Sequence, residues 1–281
     1  MRWTPAHEAH AIERVSMTVS FNEQAASKTW PSLIATLSSK LHELGFSSQI
    51  AATGVPPGFL GIGQPLAQIV VGPAGVTQSF GEGRTFQIVE GNTLREDIQF
   101  FRDRVLYSAT RYVGWSGFFS RYRELLGSEV DLLLTSMSPA IVQLEYWDRF
   151  NFQGPQNEVA YEELFAPNSR YLPHFARDAR DLMHSHVGFF ADSPEGHKRL
   201  ININVDSVDL MQMTENGQPE PKRSVGVYTL AQDRITSDRG REFDAAGLTS
   251  TFDQQHTILK DVIGDVINSA MADRISLKAT P

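Results

Sequence analysis

The chain begins with a regular alternation of hydrophobic and polar residues over Val15–Phe21. Every second position is hydrophobic, and serine or threonine fills the positions between. This period of two is typical of a strand with one buried face. A helical repeat of leucine and isoleucine follows, with Thr29 before it and Gly45 at its end. The pattern therefore predicts a strand followed by a helix.

A larger pattern, in which short alternating segments precede one long amphipathic helix, occurs twice. The first copy extends over residues 86–127 and ends in a predicted helix at Trp115–Leu126. The second extends over residues 183–271 and ends in a predicted helix at Phe252–Met271. Apolar residues recur at intervals of three and four in both helices, as on the buried face of a helix. We interpret the two copies as pseudo-repeated, β-rich halves.

Turn and cap residues set the predicted boundaries of these elements. Gly127 is predicted to end the first long helix, and Thr251 with Gln254 predicts a capping box at the start of the second. The alternating segments and their short connections predict antiparallel strands. They lie at Ala67–Gly72, Val76–Phe80, Thr85–Val89, Asp97–Arg102, Val105–Thr110, Ala140–Phe152, Leu182–Phe190, Leu200–Leu210 and Ser224–Ile235. The predicted fold class is α+β, with antiparallel sheets packed against long amphipathic helices.

The domain organisation follows from a Gly- and Pro-containing stretch near the middle of the chain. We predict an N-terminal α+β half at residues 1–152, a joint at residues 153–170, and a C-terminal half of hairpins and a helix at residues 171–281. The two halves are expected to pack closely, and a single domain is the alternative.

Composition narrows the functional classes. The 281 residues carry a net charge of −8, which argues against a general nucleic-acid binder. Five arginines within residues 102–124 are a local exception, interpreted as a solvated face, with an anion site as the alternative. The chain has no cysteine, which excludes disulfides and thiolate chemistry. It shows no secretory signal and no long apolar run, so we expect a cytoplasmic protein without membrane contact.

His184 and His186 form the strongest candidate metal motif. On a strand, residues two apart share a face, so both imidazoles would reach one ion. Two histidines are too few for a complete site, and two exposed histidines on a solvated sheet face are the simpler interpretation. A metal at His184 and His186 is therefore kept as the alternative.

Asn202, Asn204 and Asp206 share one face of the strand that follows. If this strand pairs in register with the histidine strand, a polar face of His, Asn and Asp results. That face is interpreted as a solvated outer surface, with the floor of a ligand or metal site as the alternative.

His256 lies on the apolar face of the last long helix, between Phe252 and Leu259. We expect it to hydrogen-bond across to the sheet rather than to act as a general base. The chain contains no nucleophile elbow and no phosphate-binding loop. We assign no catalytic residue and expect no cofactor, although an enzyme is not excluded.

The order of segments resembles a sporadically distributed family of bacterial and archaeal proteins, most of them uncharacterised. Four segments carry the resemblance: Val15–Phe21; Arg102–Ser108 with Tyr112-x-Gly114-Trp115-x-x-Phe118; Leu144–Phe150, similar to the family's Leu-Arg-Tyr-Ile-Asn-Arg-Ile strand; and Phe252-Asp253-Gln254-Gln255-His256 with Ile275-Ser276. The chain departs from the family at Glu145, where the family has Arg, and at Asp148, where it has Asn. The resemblance implies fold and class and supplies no catalytic residue.

The preferred functional hypothesis is a non-catalytic accessory protein that binds a protein partner encoded nearby, or a second copy of itself. The patchy distribution of the resembling family fits a mobile-element or phage-defence system. The alternative is a small-ligand or metal-dependent enzyme that uses the face of His184 and His186. The candidate binding residues are Tyr146, Trp147, Asp148, Arg149, Asn202, Asn204 and Asp206.

Overall fold

The computed structural model describes residues 1–50, 83–213, 217–235 and 243–277. The predicted strands at residues 67–72 and 76–80 lie outside these ranges. Within them, no helix combines the length and the apolar character needed to cross a membrane.

The strands form one antiparallel sheet, which confirms the α+β prediction. Along the sheet the order is β3-β4-β5-β6-β2-β7-β10-β9-β8, and β1 pairs with β7. The strands are β1 Trp3–Pro5, β2 Ile12–Phe21, β3 Ser47–Ile50, β4 Gly83–Glu90, β5 Thr93–Phe101, β6 Arg104–Ala109, β7 Pro139–Phe152, β8 His184–Asp192, β9 Lys198–Met213 and β10 Pro219–Arg234. β7, from the predicted N-terminal half, pairs with β10, from the C-terminal half, so the sheet is continuous across the two.

In the described part of the chain, five helices accompany the sheet, and two of them are long. They are α1 Trp30–Glu43, α2 Trp115–Leu134, α3 His174–Asp178, α4 Ala245–Val266 and α5 Ser269–Arg274. Residues 153–170, the predicted joint, contain two short 3-10 turns and pack against the chain ends. Trp3 Nε1 donates to the Ala160 carbonyl at 2.9 Å, and Asn268 Nδ2 donates to the Glu163 carbonyl at 2.6 Å.

The predicted end of the first long helix at Gly127 is wrong. α2 continues to Leu134, and Gly127 lies buried inside it. A glycine inside a helix costs only about 1 kcal/mol relative to alanine. Val130 and Leu133 continue the buried face beyond it, and this packing keeps the helix intact.

The predicted capping box of the last long helix is also wrong. α4 starts at Ala245, where the Asp244 side chain accepts a hydrogen bond from the Gly247 N–H at 2.8 Å. Thr251 and Gln254 therefore lie within the helix. The helix ends at Val266, and the short α5 starts behind a second cap, at Asn268.

One face of the sheet, here called the helix face, carries the hydrophobic core under α2 and α4. β7 shows the alternation: Val142, Leu144, Tyr146, Asp148 and Phe150 are buried on this face. α4 is fixed to it by Gln255, whose Nε2 donates to the Val142 carbonyl at 2.9 Å.

The opposite face of the sheet, here called the polar face, is largely buried as well. Ser16, Asp97 and Asn202 on it are each less than one-tenth exposed. Near its centre, Glu145 accepts hydrogen bonds from Tyr228 Oη and Gln143 Nε2, both at 2.7 Å. Burial raises the pKa of Glu145 despite these bonds. The polar face is therefore a hydrogen-bonded layer and not a wet exterior.

Candidate ligand site between the sheet and helix α4

A cavity of about 200 Å³ lies between the helix face of the sheet and α4. Apolar side chains from α4 and from the segment after α5 form part of its wall. Its polar lining comes from six different segments of the chain: His10, Tyr112, Tyr146, Asp148, Thr229, His256, Lys260 and Ser276.

The periodicities of two elements place the central polar residues. Tyr146 and Asp148 are two apart on β7, so both point to the helix face. His256 and Lys260 are four apart on α4, so both lie on one side of that helix. Leu259 lines the cavity beside them. The cavity therefore has a strand floor and a helix roof.

Asp148 is the most unusual residue of the site. It is 5% exposed, it lines the cavity, and its carboxylate has neither a hydrogen bond nor an ion pair among the residues that the structure describes. Burial, reinforced by the negative charge of Glu13, raises its pKa to about 7. Buried carboxylates are ordinarily paired, because an uncompensated charge in a low dielectric is costly.

Other buried carboxylates of this chain follow that rule. Asp233 pairs with Arg199 at 2.5 Å and accepts a hydrogen bond from Gln255. Asp97 accepts hydrogen bonds from Gln87 and Gln99, both at 3.0 Å. Asp148 departs from this pattern, and it does so at the wall of a cavity.

His256 is held in place by ring stacking and a hydrogen bond. Its ring stacks on Trp115, with centroids 4.6 Å apart and planes 6° apart, and Trp115 Nε1 donates to Asp253 at 2.7 Å. His256 Nδ1 is hydrogen-bonded to the Tyr146 hydroxyl at 2.9 Å, which confirms the expected bond across to the sheet. Burial, with the nearby charge of Lys260, lowers the pKa of His256 to about 4. The imidazole is therefore neutral near pH 7.

Two tyrosines complete the aromatic wall. The rings of Tyr112 and Tyr146 meet edge to face, with centroids 6.0 Å apart. Burial raises the pKa of Tyr112 to about 12 and that of Tyr146 well above 10. Both hydroxyls therefore stay protonated, and Tyr112, Tyr146 and His256 are all uncharged near pH 7.

The predicted binding residues of β7 divide between the two faces of the sheet. Tyr146 and Asp148 line the cavity, whereas Trp147 and Arg149 lie on the polar face. Arg149 pairs with Glu13 at 2.6 Å. The guanidinium of Arg14 lies over the ring of Trp147, at 4.3 Å from its centroid. The four residues therefore do not converge on one site, because neighbouring residues of a strand point in opposite directions.

The histidine strand β8 pairs with β9, which was the condition for a shared polar face. His184 lies opposite Asp206 and His186 opposite Asn204. His184 Nδ1 is hydrogen-bonded to the Asp206 carboxylate, to which Asn204 Nδ2 also donates at 2.8 Å. His186 Nε2 lies 2.5 Å from Asn202 Oδ1. Among the described residues, no group of three or more potential ligands is arranged to hold a metal ion.

Exposure differs between these two strands. The side chain of His184 is 58% exposed, as expected for a solvated face. Asn202 and Asn204 are 7% and 6% exposed, so a wet outer face is wrong for β9. Asn202 and Asn204 are more buried than His184 because β9 lies between β8 and β10, whereas β8 is the edge strand.

The arginines of residues 102–124 mostly serve the fold. Arg102 donates to the Ala25 carbonyl at 2.6 Å, Arg121 pairs with Glu96 at 3.1 Å, and Arg123 pairs with Asp131 at 2.8 Å. These internal partners favour the interpretation as structural surface charges over an anion site.

Comparisons with family models, with curated proteins and with solved structures each found no match to this chain. The family resemblance of the sequence therefore stays a prediction. The assignment of the cavity as a candidate ligand site depends only on its geometry.

Sequence reasoning missed several residues of the cavity. His10, Tyr112 and Thr229 come from segments that only the folded chain brings together. One signal was present in the sequence, since Lys260 follows His256 by four residues and must share its side of α4.

Proposed function

We propose that the protein binds a small polar organic molecule in the cavity between β7 and α4. The observation that supports this most strongly is Asp148, a buried carboxylate that lines the cavity without a partner among the described residues. A ligand group that donates hydrogen bonds or carries positive charge would supply the missing partner.

The size of the cavity limits the ligand. About 200 Å³ equals roughly seven times the volume per molecule in liquid water, which is about 30 Å³. This is below the range typical of drug-sized ligands, about 300–1,000 Å³. We therefore expect a small metabolite rather than a nucleotide or a lipid.

Ligand carry-over tests the proposal without knowledge of the ligand. The chain is purified under mild conditions, and native mass spectrometry followed by extraction detects any bound small molecule. Ile263→Phe fills the cavity from α4, and Ile258→Phe is the matched control, because Ile258 lies on the same helix but does not line this cavity. We expect a bound molecule in the wild type and in I258F that is lost in I263F. A wild type without any bound molecule, or equal retention in all three, contradicts the proposal.

A second candidate function is self-association, and the edge strand β8 favours it. β8 is nine residues long, pairs with β9 without a bulge, and contains neither lysine nor proline. Lysine, proline and bulges are the features that usually protect an edge strand from pairing with another chain. Antiparallel pairing of two copies centred on Gly188 would place His184 of each copy opposite Asp192 of the other. His184 and Asp192 already have partners within the chain, Asp206 and Lys198, so the regular, unprotected backbone edge of β8 is what supports a second copy of the chain as the occupant.

The oligomeric state tests this candidate. Phe190→Lys places a charge at an exposed position of β8, and Met211→Lys is the control at an exposed position of β9. Light scattering coupled to gel filtration is expected to show a dimer for the wild type and M211K, and a monomer for F190K. A monomeric wild type at all concentrations contradicts self-association through β8. An accessory role in phage defence stays a prediction from the resemblance.

The topology is compatible with a repeat whose bounds differ from those inferred from the sequence, because its second unit would begin at β7, inside the predicted N-terminal half. In each of these units, β2–β6 and β7–β10, the first strand pairs with the last one: β2 with β6, and β7 with β10. A long helix follows the last strand of both units, α2 in the first and α4 in the second. β2 and β7 pair with each other at the centre, as two related units would.

A further inference from the structure

Two opposite charges line the same cavity without neutralising each other. The acidic residue Asp148 lines it from β7, and the basic residue Lys260 lines it from α4. No salt bridge joins them, and across residues 1–50, 83–213, 217–235 and 243–277 Lys260 has no other ion-pair partner. The aromatic groups around them, Tyr112, Tyr146 and His256, are neutral near pH 7. The cavity therefore presents a separated negative and positive pole.

Each simple class of ligand satisfies only part of this arrangement. An anion would pair with Lys260 and leave the buried carboxylate of Asp148 unpaired beside a second negative charge. A cation would pair with Asp148 and gain from the aromatic rings, but it would be repelled by Lys260. An apolar molecule would desolvate both charges and pair with neither.

We propose that the ligand is a small zwitterion of the amino-acid type, with its ammonium group toward Asp148 and its carboxylate toward Lys260. This inference rests on the proposed function and specifies its ligand class. Both pairs would be charge-assisted hydrogen bonds, and the one at the buried Asp148 would be stronger than the same bond in water. The two poles also fix the orientation of the molecule.

Isothermal titration calorimetry with the full chain tests the ligand class. The probes are the twenty standard amino acids at millimolar concentration. For each one that binds, two analogues follow: the amine that lacks the carboxylate and the acid that lacks the amino group. We expect at least one amino acid to bind and both of its analogues to bind at least tenfold more weakly.

Two variants assign the poles. Asp148→Asn removes one charge with little change of shape, and Lys260→Met removes the other, with Lys260→Arg as the charge-retaining control. D148N is expected to weaken binding about 30-fold or more, because it leaves a buried ammonium unpaired. K260M is expected to weaken it about tenfold, since Lys260 is less buried, and K260R is expected to bind nearly normally.

The outcomes separate this inference from the proposed function. If no amino acid binds the wild type, or if D148N binds as well as the wild type, the zwitterion inference is overturned. If a different molecule is nevertheless retained by the wild type and lost from I263F, the proposed function stands without it. If the wild type retains no molecule and binds no amino acid, the zwitterion inference and the proposed function are both overturned.

Discussion

Replacing Asp148 with asparagine should stabilise the unliganded protein, and the gain should depend on pH. The pKa of the Asp148 carboxyl is raised from its ordinary 3.8 to about 7 by burial and by Glu13. A carboxyl whose pKa is raised by folding contributes its full stability below pH 3.8 and loses it as the pH rises to about 7. The asparagine side chain cannot ionise, so D148N escapes this loss.

The size of the effect follows from the same two pKa values. The interval from 3.8 to about 7 spans about three pKa units, and each corresponds to about 1.4 kcal/mol. The free energy of unfolding of D148N should therefore exceed that of the wild type by up to about 4 kcal/mol above pH 7, relative to the difference near pH 4. Relaxation of the site around the charge would reduce this value, so a gain of about 2–4 kcal/mol is expected.

Urea denaturation followed by circular dichroism, at intervals between about pH 4 and pH 8, measures this difference. Asp233→Asn is the control: it is the same substitution at an equally buried carboxylate that is paired with Arg199. D233N should destabilise the protein by about 3–5 kcal/mol at pH 7, because it leaves a buried guanidinium unpaired. Parallel pH profiles for wild type and D148N, or a loss of stability in D148N at pH 8, would refute the argument that Asp148 is an unpaired buried charge.

Three further predictions follow from the same site and its helix. His256→Phe, which preserves stacking on Trp115, should make the free energy of unfolding less dependent on pH in the acid range. The pKa of His256 lies at about 4 instead of 6.5, so the wild type loses up to about 3 kcal/mol as the pH falls through this interval. Urea titrations at about pH 4 and pH 7 measure the difference. Binding of an ammonium group at Asp148 requires the ionised carboxylate, so calorimetric affinity should fall about tenfold for each pH unit below 7, whereas pH-independent affinity would contradict it. Asp244→Ala removes the cap of α4 and should lower the free energy of unfolding by about 1 kcal/mol, measured by thermal denaturation, with Asp261→Ala, at an exposed position inside the same helix, as the comparison.

The sequence predicted the strands and long helices better than their ends. The alternation of β2 and β7 is a local property, so their existence and their buried faces follow directly from the pattern. The end of α2 did not, because Gly127 carries the local signal of a helix stop while Val130 and Leu133 pack against the core. Tertiary packing outweighs the cost of one glycine. The sheet order could not be predicted from local patterns either, since the pairing of β2 with β7 joins segments that are far apart in the chain.

The candidate site shows where local reasoning ends. Sequence periodicity places Asp148 beside Tyr146 on one face and His256 beside Lys260 on another, but it cannot say that these two faces meet. They meet because β7 is central in the sheet and α4 crosses it, fixed by the bond from Gln255 to the β7 backbone. Where α4 crosses β7, the cavity lies beside Asp148, and none of the described residues supplies a side-chain partner for its carboxylate. The same packing that makes the helix face hydrophobic therefore isolates one carboxylate from water, and a ligand is the partner that would restore its balance of charge.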